Sequence, residues 1–119
     1  MKEEIISFQT GKLAKEKGFS IVSTGFYDEN KELDLYESYI GDDIVYKRQL
    51  LDGIVVCEAP TQSLLQKWLR EKHRIFIIIY KKIGGWSYYL DEAPKINLYD
   101  TYEEALEKGL QEALKLIKT

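Results

Sequence analysis

The residues best suited to nucleophilic chemistry are the single cysteine, Cys57, and the single histidine, His73. A neighbouring histidine can activate a cysteine as a thiolate nucleophile. The residues between them, however, predict a helix, which would hold the two side chains near opposite ends of an element about 18 Å long. We therefore expect no catalytic dyad. Cys57 is expected to be a small buried residue at the end of a strand, and His73 to interact with the C-terminus of the helix.

Acidic residues are the next group that could do chemistry, by holding a metal or by transferring protons. One histidine and one cysteine cannot complete a zinc cluster, and the pairs Asp42/Asp43 and Asp91/Glu92 lack the spacing of a calcium loop. The sequence has no phosphate-binding glycine loop and no nucleophile elbow. We expect no metal, no cofactor and no enzyme. A carboxylate enzyme stays the weakest alternative, because no pair among the 20 acids stands out.

Charge is distributed unevenly, although 17 basic and 20 acidic residues give a formal net charge of only -3. The segment 26–43 is acidic apart from Lys31, and the segment 61–82 is basic apart from Glu71. Such asymmetry can mark a partner site, or the two segments can lie side by side and neutralise each other. The net charge itself gives no reason to expect nucleic acid.

The basic segment contains the first candidate site, which we call the basic edge. Its side chains surround Trp68 and suit contact with phosphate groups. They are Lys67, Arg70, Lys72, His73 and Arg74. Trp68 itself repeats at helical spacing with apolar neighbours, which indicates a core position. A strand follows these cations in place of a second helix, so a helix-turn-helix is not supported.

Capping residues and apolar periodicity predict three helices. Ser7 can cap a first helix that ends near Lys17, with Gly18 in the left-handed position that follows. Pro60 and Thr61 open a second helix. Its apolar stripe is Leu64, Leu65, Trp68 and Leu69, and the positions largely outside the stripe are Gln62, Gln66, Lys67 and Arg70.

The third helix is the clearest, because Thr101 and Glu104 form a capping box before a long apolar stripe. The stripe is Tyr102, Ala105, Leu106, Gly109, Leu110, Ala113, Leu116 and Ile117. Glycine costs about 1 kcal/mol relative to alanine in a helix, so Gly109 in this stripe indicates close packing against a sheet.

Runs rich in β-branched and aromatic residues predict the strands. "FSIVSTGFY" and "ELDLYESYI" flank the turn "DENK" and indicate an antiparallel pair, and "GIVVCE" indicates a short strand before the second helix. "IFIIIY" and "WSYYL" form a hairpin, whereas the segment 41–52 shows no clean period. The predicted fold is α+β, with about three helices packed on a mostly antiparallel sheet in the order α-β-β-α-β-β-α.

The hairpin defines the second candidate site, provided that Gly84 and Gly85 are its two loop residues. That register pairs Ile83 with Trp86, Lys81 with Tyr88 and Ile79 with Leu90. Alternation then gives a core face of Ile75, Ile77, Ile79, Ile83, Trp86, Tyr88 and Leu90. The opposite face is Phe76, Ile78, Tyr80, Lys82, Ser87 and Tyr89.

The second face is amphipathic and aromatic, and three interpretations of it stay open. A helix or loop can cover it, two copies of the chain can associate through it, or it can stack single-stranded nucleic acid. The residues expected to contact a partner there are Phe76, Tyr80, Lys82 and Tyr89.

Length and composition indicate the number of domains and the cellular compartment. The chain of 119 residues is within the usual size of one domain, so we expect residues 1–119 to form a single domain. A lone cysteine, two glutamates near the start and the lack of a long apolar segment indicate a cytoplasmic protein that does not enter a membrane.

Three strings, "ISFQTGKLAKEKGF", "CEAPTQSLLQKWLRE" and "YEEALEKGLQEALKLI", resemble small proteins encoded in phages and prophage-like regions of gut Bacteroidetes. The resemblance covers the three predicted helices, nearly half the chain. It implies a mobile-element origin and a bacterial or phage-infected cytoplasm, and it implies no activity and no catalytic residue. The expected function is a small protein-interaction module that can associate with a second copy of itself. The alternative is a nucleic-acid-binding accessory protein that uses the basic stretch 67–82.

Overall fold

The computed structural model describes residues 3–36, 53–91, 93–95 and 97–118. Within these ranges the chain forms three helices and six strands in two antiparallel three-stranded sheets, so the predicted α+β class is confirmed. The short strand expected before the second helix is present, and a short sixth strand was not predicted. The segment 41–52 and the acids Glu37, Asp42, Asp43 and Glu92 lie outside the described residues.

The chain divides into two compact units. The N-terminal unit is Ile5–Thr61, and the C-terminal unit is Gln62–Thr119 together with Met1–Glu4. The expectation of a single domain stays a prediction.

Helix α1, Phe8–Glu16, opens the N-terminal unit as predicted. Its first turn is capped by Ser7, whose hydroxyl accepts a hydrogen bond from the backbone N–H of Thr10 at 3.3 Å. Gly18 follows the helix with a φ of +101°, a conformation that glycine adopts without steric cost. The two local signals that the sequence carries therefore set both ends of α1.

The sheet of the N-terminal unit consists of β1 (Gly25–Tyr27), β2 (Leu33–Leu35) and β3 (Cys57–Ala59), with β1 in the centre. "DENK" forms the turn between β1 and β2, as predicted. Within it, the Asp28 carboxylate accepts hydrogen bonds from the N–H groups of Asn30 at 2.9 Å and Glu32 at 3.1 Å. Helix α1 packs on β3.

The C-terminal unit contains helix α2, Gln62–His73, and helix α3, Tyr102–Lys115. Thr101 caps α3 as predicted, and its hydroxyl accepts a hydrogen bond from the N–H of Glu104 at 3.1 Å. The predicted apolar stripes are largely buried, with four corrections: Gln62 and Leu114 are buried, and Tyr102 and Leu116 are exposed.

Tyr102 is the first residue of α3, and its ring contacts the Trp86 ring edge-on with 5.6 Å between the centroids, so part of it stays open to solvent. The other corrections also have local physical reasons. Helix α3 ends at Lys115, and Leu114 continues the i, i+4 spacing from Leu110, so Leu116 falls beyond the stripe. The buried amide of Gln62 is satisfied, because its Nε2 donates to the carbonyl oxygen of Glu103 at 2.9 Å and to Oε1 of Glu107 at 3.0 Å. These bonds connect α2 to α3.

The second sheet consists of β4 (Ile77–Lys82), β5 (Gly85–Leu90) and β6 (Ala93–Pro94), with β5 in the centre. Its register corrects the predicted hairpin. Ile79 lies opposite Tyr88, Lys81 opposite Trp86 and Lys82 opposite Gly85, so the loop residues are Ile83 and Gly84.

The two glycines of the hairpin have different reasons to be glycine. Gly84 has a φ of +95°, which a turn residue without a Cβ adopts readily. Gly85 belongs to β5 and lies against a neighbouring backbone, because a Cβ there would be 2.7 Å from the carbonyl oxygen of Tyr99. Ile83, predicted to be a core residue, is consequently a fully exposed turn residue.

Helix α3 packs on one face of the β4–β5 hairpin. At the closest approach, a Cβ on Gly109 would lie 3.0 Å from Cγ2 of Ile77 and 3.4 Å from Cδ2 of Tyr88. The predicted role of Gly109 in helix-to-sheet packing is therefore confirmed. The opposite face of the hairpin carries the predicted aromatic residues.

Candidate functional site

Cys57 lies in β3 of the N-terminal unit, where only 2% of its surface is exposed. Burial raises the pKa of its thiol to about 11, although the ammonium group of Lys15 acts in the opposite direction. A thiol in this state is a poor nucleophile at neutral pH, because only the thiolate reacts. Cys57 is thus a packed side chain, as the sequence indicated.

His73 is the last residue of α2 and belongs to the other unit. Its ring lies edge-on to Trp68, with 4.7 Å between the ring centroids. The Nε2 atom is buried and has no hydrogen-bond partner among the described residues. Within the described ranges, no three or more histidine, cysteine or acidic side chains form a group that could hold a metal. Nor does any helix there combine the length and apolar character needed to cross a bilayer.

The described acids of the acidic segment cluster around the turn between β1 and β2. The pKa of Asp34 is raised by burial, by a hydrogen bond with Asp28 and by the charges of Asp28 and Glu32. Asp28 in turn holds the backbone of the turn through its carboxylate. The hydrogen bonds of Asp28 stabilise the turn, whereas the charges around Asp34 disfavour its ionised form.

The basic edge lies at the C-terminal end of α2. Lys67, Arg70 and Lys72 are exposed, and Arg74 follows the last residue of the helix with a φ of +57°. None of these four cations makes an ion pair with an acid in the described part of the chain. His73 is the exception in this set, since it is half-buried against Trp68 and does not share the solvent-exposed surface.

The second candidate site is the face of the β4–β5 hairpin that points away from α3. We call it the aromatic face and define it by Phe76, Ile78, Tyr80, Lys82 and Tyr89. Exposure is 46% for Phe76, 60% for Ile78 and 37% for Tyr89. The expectation that a helix or loop covers this face is therefore wrong for these three residues as far as the described ranges extend.

Among the described residues, Lys95 covers one part of this face, where its carbonyl oxygen accepts hydrogen bonds from the hydroxyls of Ser87 at 3.0 Å and Tyr80 at 3.5 Å. Ser87 was expected on the aromatic face, but it is fully buried and its hydroxyl donates to the carbonyl oxygen of Lys95 at 3.0 Å. The chain that follows β6 crosses the hairpin there, since the N–H of Lys95 also donates to the carbonyl oxygen of Tyr88 at 3.1 Å. Ser87 therefore forms the boundary of the exposed surface.

Two rings of the aromatic face, those of Tyr80 and Tyr89, restrain each other. Tyr80 and Tyr89 lie with centroids 4.7 Å apart and planes tilted by 37°. The ammonium group of Lys82 lies 5.6 Å from the Tyr80 ring centroid, and that of Lys81 lies 5.9 Å from the Trp86 ring centroid on the other face. Contacts of this kind are worth about 0.5–1 kcal/mol at exposed sites, enough to bias these side chains toward one arrangement.

Sequence reasoning missed two contributors to this region. Ile78, the most exposed apolar member of the aromatic face, was placed there but not counted among the expected contact residues. Gln66 was assigned to the solvent side of α2, yet its Nε2 donates to the carbonyl oxygen of Ile77 at 2.9 Å. No periodicity in the sequence signals that contact, because it depends on how α2 meets β4.

A separate concave surface lies along α1 in the N-terminal unit. It includes Lys31, whose ammonium group lies 5.6 Å from the Phe8 ring centroid. Its lining residues are Ser7, Phe8, Gln9, Lys12, Leu13, Glu16 and Lys31. Because this set holds one acid and no histidine or cysteine, it offers no pair of groups suited to acid–base or nucleophilic chemistry.

Comparison of the chain with models of protein families, with curated proteins and with solved structures finds no match. The function must therefore be inferred from the described side chains, of which the aromatic face is the most distinctive group.

Proposed function

We propose that the protein is a small interaction module that binds a protein partner through the aromatic face. The observation that carries this proposal is the exposure of Phe76, Ile78 and Tyr89 on one face of a hairpin whose other face packs on α3. Contiguous apolar patches bordered by polar residues mark interaction sites on soluble proteins. Tyrosine and phenylalanine are enriched in such interfaces, and the rim around their cores is polar and solvent-accessible.

The arrangement of the rings favours binding on entropic grounds. Side chains that are already restrained lose less conformational freedom when a partner arrives. Tyr80 and Tyr89 restrain each other, and Lys82 lies over Tyr80 at the border of the patch. The aromatic face thus combines a largely preformed apolar centre with a cationic rim.

The resemblance to phage and prophage proteins of gut Bacteroidetes extends the proposal to a cellular setting. On that resemblance, the module acts in the cytoplasm of a bacterium that carries a phage or prophage, and its partner is a host or phage protein. A homodimer is the simplest form that such an interaction can take.

Affinity purification with matched variants tests this proposal. The face variant is Phe76→Ser with Ile78→Ser, and the control is Ile83→Ser with Leu98→Ser, which removes two exposed apolar side chains elsewhere. A partner retained by the wild type and the control is identified, purified and titrated against all three proteins. We expect the face variant to weaken binding by about 30-fold or more, as loss of an interface hot spot does. Equal affinity for all three would refute the role of the aromatic face.

Self-association is measured on the same proteins by sedimentation velocity. A dimer of the wild type and the control that dissociates in the face variant identifies a second copy as the partner. A dimer that persists in the face variant assigns self-association to another surface.

The basic edge supports a second candidate function, nucleic-acid binding. The supporting observation is that Lys67, Arg70, Lys72 and Arg74 lack ion-pair partners in the described part of the chain. Phosphate contacts release counterions, so binding through these cations would weaken steeply as the salt concentration rises.

Fluorescence anisotropy of labelled single- and double-stranded oligonucleotides at several salt concentrations tests the second candidate. The variant Lys67→Glu with Arg70→Glu is compared with Lys12→Glu and Lys118→Glu, which changes the net charge equally. Nucleic-acid binding predicts a salt slope that falls by about 2 in the first variant only. No binding at low salt, or the same loss in both variants, would exclude the basic edge as a nucleic-acid site.

A further inference from the structure

Strand β4 is an edge strand of the second sheet. The strand order is β4-β5-β6, so β5 pairs with one side of β4 and the other side has no strand among the described residues. Open edges present unpaired N–H and C=O groups that another extended chain can use.

The register identifies which groups of β4 point outward. The N–H of Asp91 donates to the carbonyl oxygen of Phe76 at 3.0 Å, which makes Phe76 and Asp91 a hydrogen-bonded pair. Bonded and non-bonded pairs alternate in antiparallel sheets, so Ile78, Tyr80 and Lys82 also bond toward β5. The N–H and C=O groups of the residues between them, Ile77, Ile79 and Lys81, point away from β5.

Only part of this edge is occupied. The carbonyl oxygen of Ile77 accepts the bond from Gln66, which confirms that it points outward. The N–H and C=O groups of Ile79 and Lys81 have no hydrogen-bond partner in the described part of the chain. Four backbone groups in a row are therefore available at the loop end of β4.

The charges at this end distinguish between possible occupants. Lys81 and Lys82 are exposed, project to opposite faces of the sheet and form no ion pair with a described acid. A second copy of β4 would place four lysines along one shared ladder, and lysines on edges act against such pairing. An acidic strand would instead place carboxylates beside both cations, which is the favourable cross-strand arrangement.

We propose that the open edge of β4 accepts an extended acidic segment of the partner protein as a further strand. The added strand bonds to the outward groups of Ile79 and Lys81, and its acids lie beside Lys81 and Lys82. Its alternate apolar side chains extend the aromatic face next to Tyr80 and Ile78. This inference rests on the proposed function and specifies the chemistry of the partner at that same site.

An antiparallel orientation defines the partner sequence. Antiparallel pairs are more stable per residue than parallel ones. From its N-terminus, the added strand then meets Lys82, Lys81, Tyr80, Ile79 and Ile78 in that order. The matching pattern is two acids, an apolar residue, a polar residue and a second apolar residue.

The probe for this inference is a fluorescein-labelled peptide with Glu-Glu-Val-Thr-Val at its centre, titrated against the full chain by anisotropy. Two control peptides test the charge pairing and the backbone hydrogen bonds separately. Lys-Lys-Val-Thr-Val reverses the charge. The second control methylates the backbone nitrogens of the second glutamate and the threonine, whose N–H groups would face β4. We expect saturable binding of the probe and at least a tenfold weaker affinity for each control.

A matched pair of protein variants provides an independent measure. Lys81→Ala and Lys81→Pro both remove the charge, but only proline also removes the outward N–H. Neither change removes a hydrogen bond to β5, because the N–H of Lys81 points away from that strand. We expect Lys81→Pro to bind the probe about fivefold more weakly than Lys81→Ala. Thermal unfolding of both variants verifies that each is folded.

The outcomes separate this inference from the function on which it rests. If the probe fails to bind while the face variant still loses its purified partner, strand addition is refuted and the interaction module stands. If the probe does not bind and the face variant keeps its affinity for the purified partner, both proposals are refuted. Equal binding of the methylated peptide refutes edge pairing. A wild-type dimer that Lys81→Pro dissociates and Lys81→Ala does not would assign the edge to a second copy and overturn the acidic partner.

Discussion

Gly85→Ala tests the structural reason for the corrected hairpin register. The added Cβ would lie 2.7 Å from the carbonyl oxygen of Tyr99 and 3.3 Å from Cβ of Leu98. Two reciprocal backbone hydrogen bonds of 2.8 Å hold Tyr99 against Trp86, the residue after Gly85. The new methyl group therefore cannot be accommodated unless that backbone moves.

The size of the effect follows from those distances. Ordinary contact requires the carbonyl oxygen to move by about 0.7 Å, which would stretch the bond from the N–H of Trp86 to about the limit for a hydrogen bond. Loss of the reciprocal pair costs about 2 kcal/mol at about 1 kcal/mol for each bond. Alanine recovers about 0.5–1 kcal/mol, because it has less freedom than glycine in the unfolded chain. The expected net loss in the free energy of unfolding is about 1–1.5 kcal/mol.

Urea unfolding monitored by tryptophan fluorescence measures this loss, because both tryptophans, Trp68 and Trp86, belong to the C-terminal unit. The control is Gly84→Asn. Asparagine tolerates left-handed backbone, and a Cβ at position 84 would lie 3.5 Å from Cδ1 of Leu98, an ordinary contact. We expect the control to lose less than about 1 kcal/mol. A Gly85→Ala protein as stable as the wild type would refute the close approach of Tyr99.

Three further perturbations test the caps and the buried polar groups. Thr101→Ala should lower the free energy of unfolding by about 1 kcal/mol, because the N–H of Glu104 loses its cap; Thr101→Ser should restore most of it in the same urea assay. Tyr36→Phe should cost about 1.5–3 kcal/mol, because the buried phenol donates to the carboxylate of Glu58 at 2.5 Å; an unchanged urea midpoint followed by far-ultraviolet circular dichroism, which reports on both units, would contradict this. At pH 8, Cys57 should react with iodoacetamide about 100-fold more slowly than in urea-unfolded protein, because its pKa is about 11 and the reactive thiolate is correspondingly rare. Equal rates would contradict the burial of that thiol.

Elements with local signals were predictable from the sequence. Ser7 caps α1 and Thr101 caps α3, as the sequence indicated, and Gly18 follows α1 in the left-handed conformation. These signals act within four residues of the chain, so no knowledge of tertiary packing is needed. The stripe of α3 was misassigned at its two ends: Tyr102 is exposed in the first turn, and the helix stops before Leu116, where helical spacing no longer applies.

The hairpin register was not predictable, because two adjacent glycines satisfy two different requirements. Gly84 supplies the positive φ of the turn, whereas Gly85 makes room for the backbone of Tyr99, which is 14 residues along the chain. Local turn chemistry cannot distinguish these roles. Gln62 and Gln66 were misjudged for the same reason, since their partners Glu103 and Ile77 belong to other elements.

The sequence placed the right residues on the aromatic face although the predicted register was wrong, and the reason is geometric. Moving both loop residues back by one position shifts each cross-strand pairing by two residues. Side chains alternate with a period of two, so such a shift leaves every residue on its original face. Phe76, Tyr80, Lys82 and Tyr89 therefore share a face in either register, and only the neighbours across the strands change.

The lysines at the end of β4 act against pairing of this open edge with a second copy of itself. Lys81 and Lys82 carry one cation to each face of the edge, so another copy approaching this end meets like charge whichever face it presents. An acidic strand would instead place opposite charge beside Lys81 and Lys82. Selectivity of this kind depends on repelling the wrong partner as much as on attracting the right one. We infer that the apolar residues supply most of the affinity, while the two lysines decide which strand can use it.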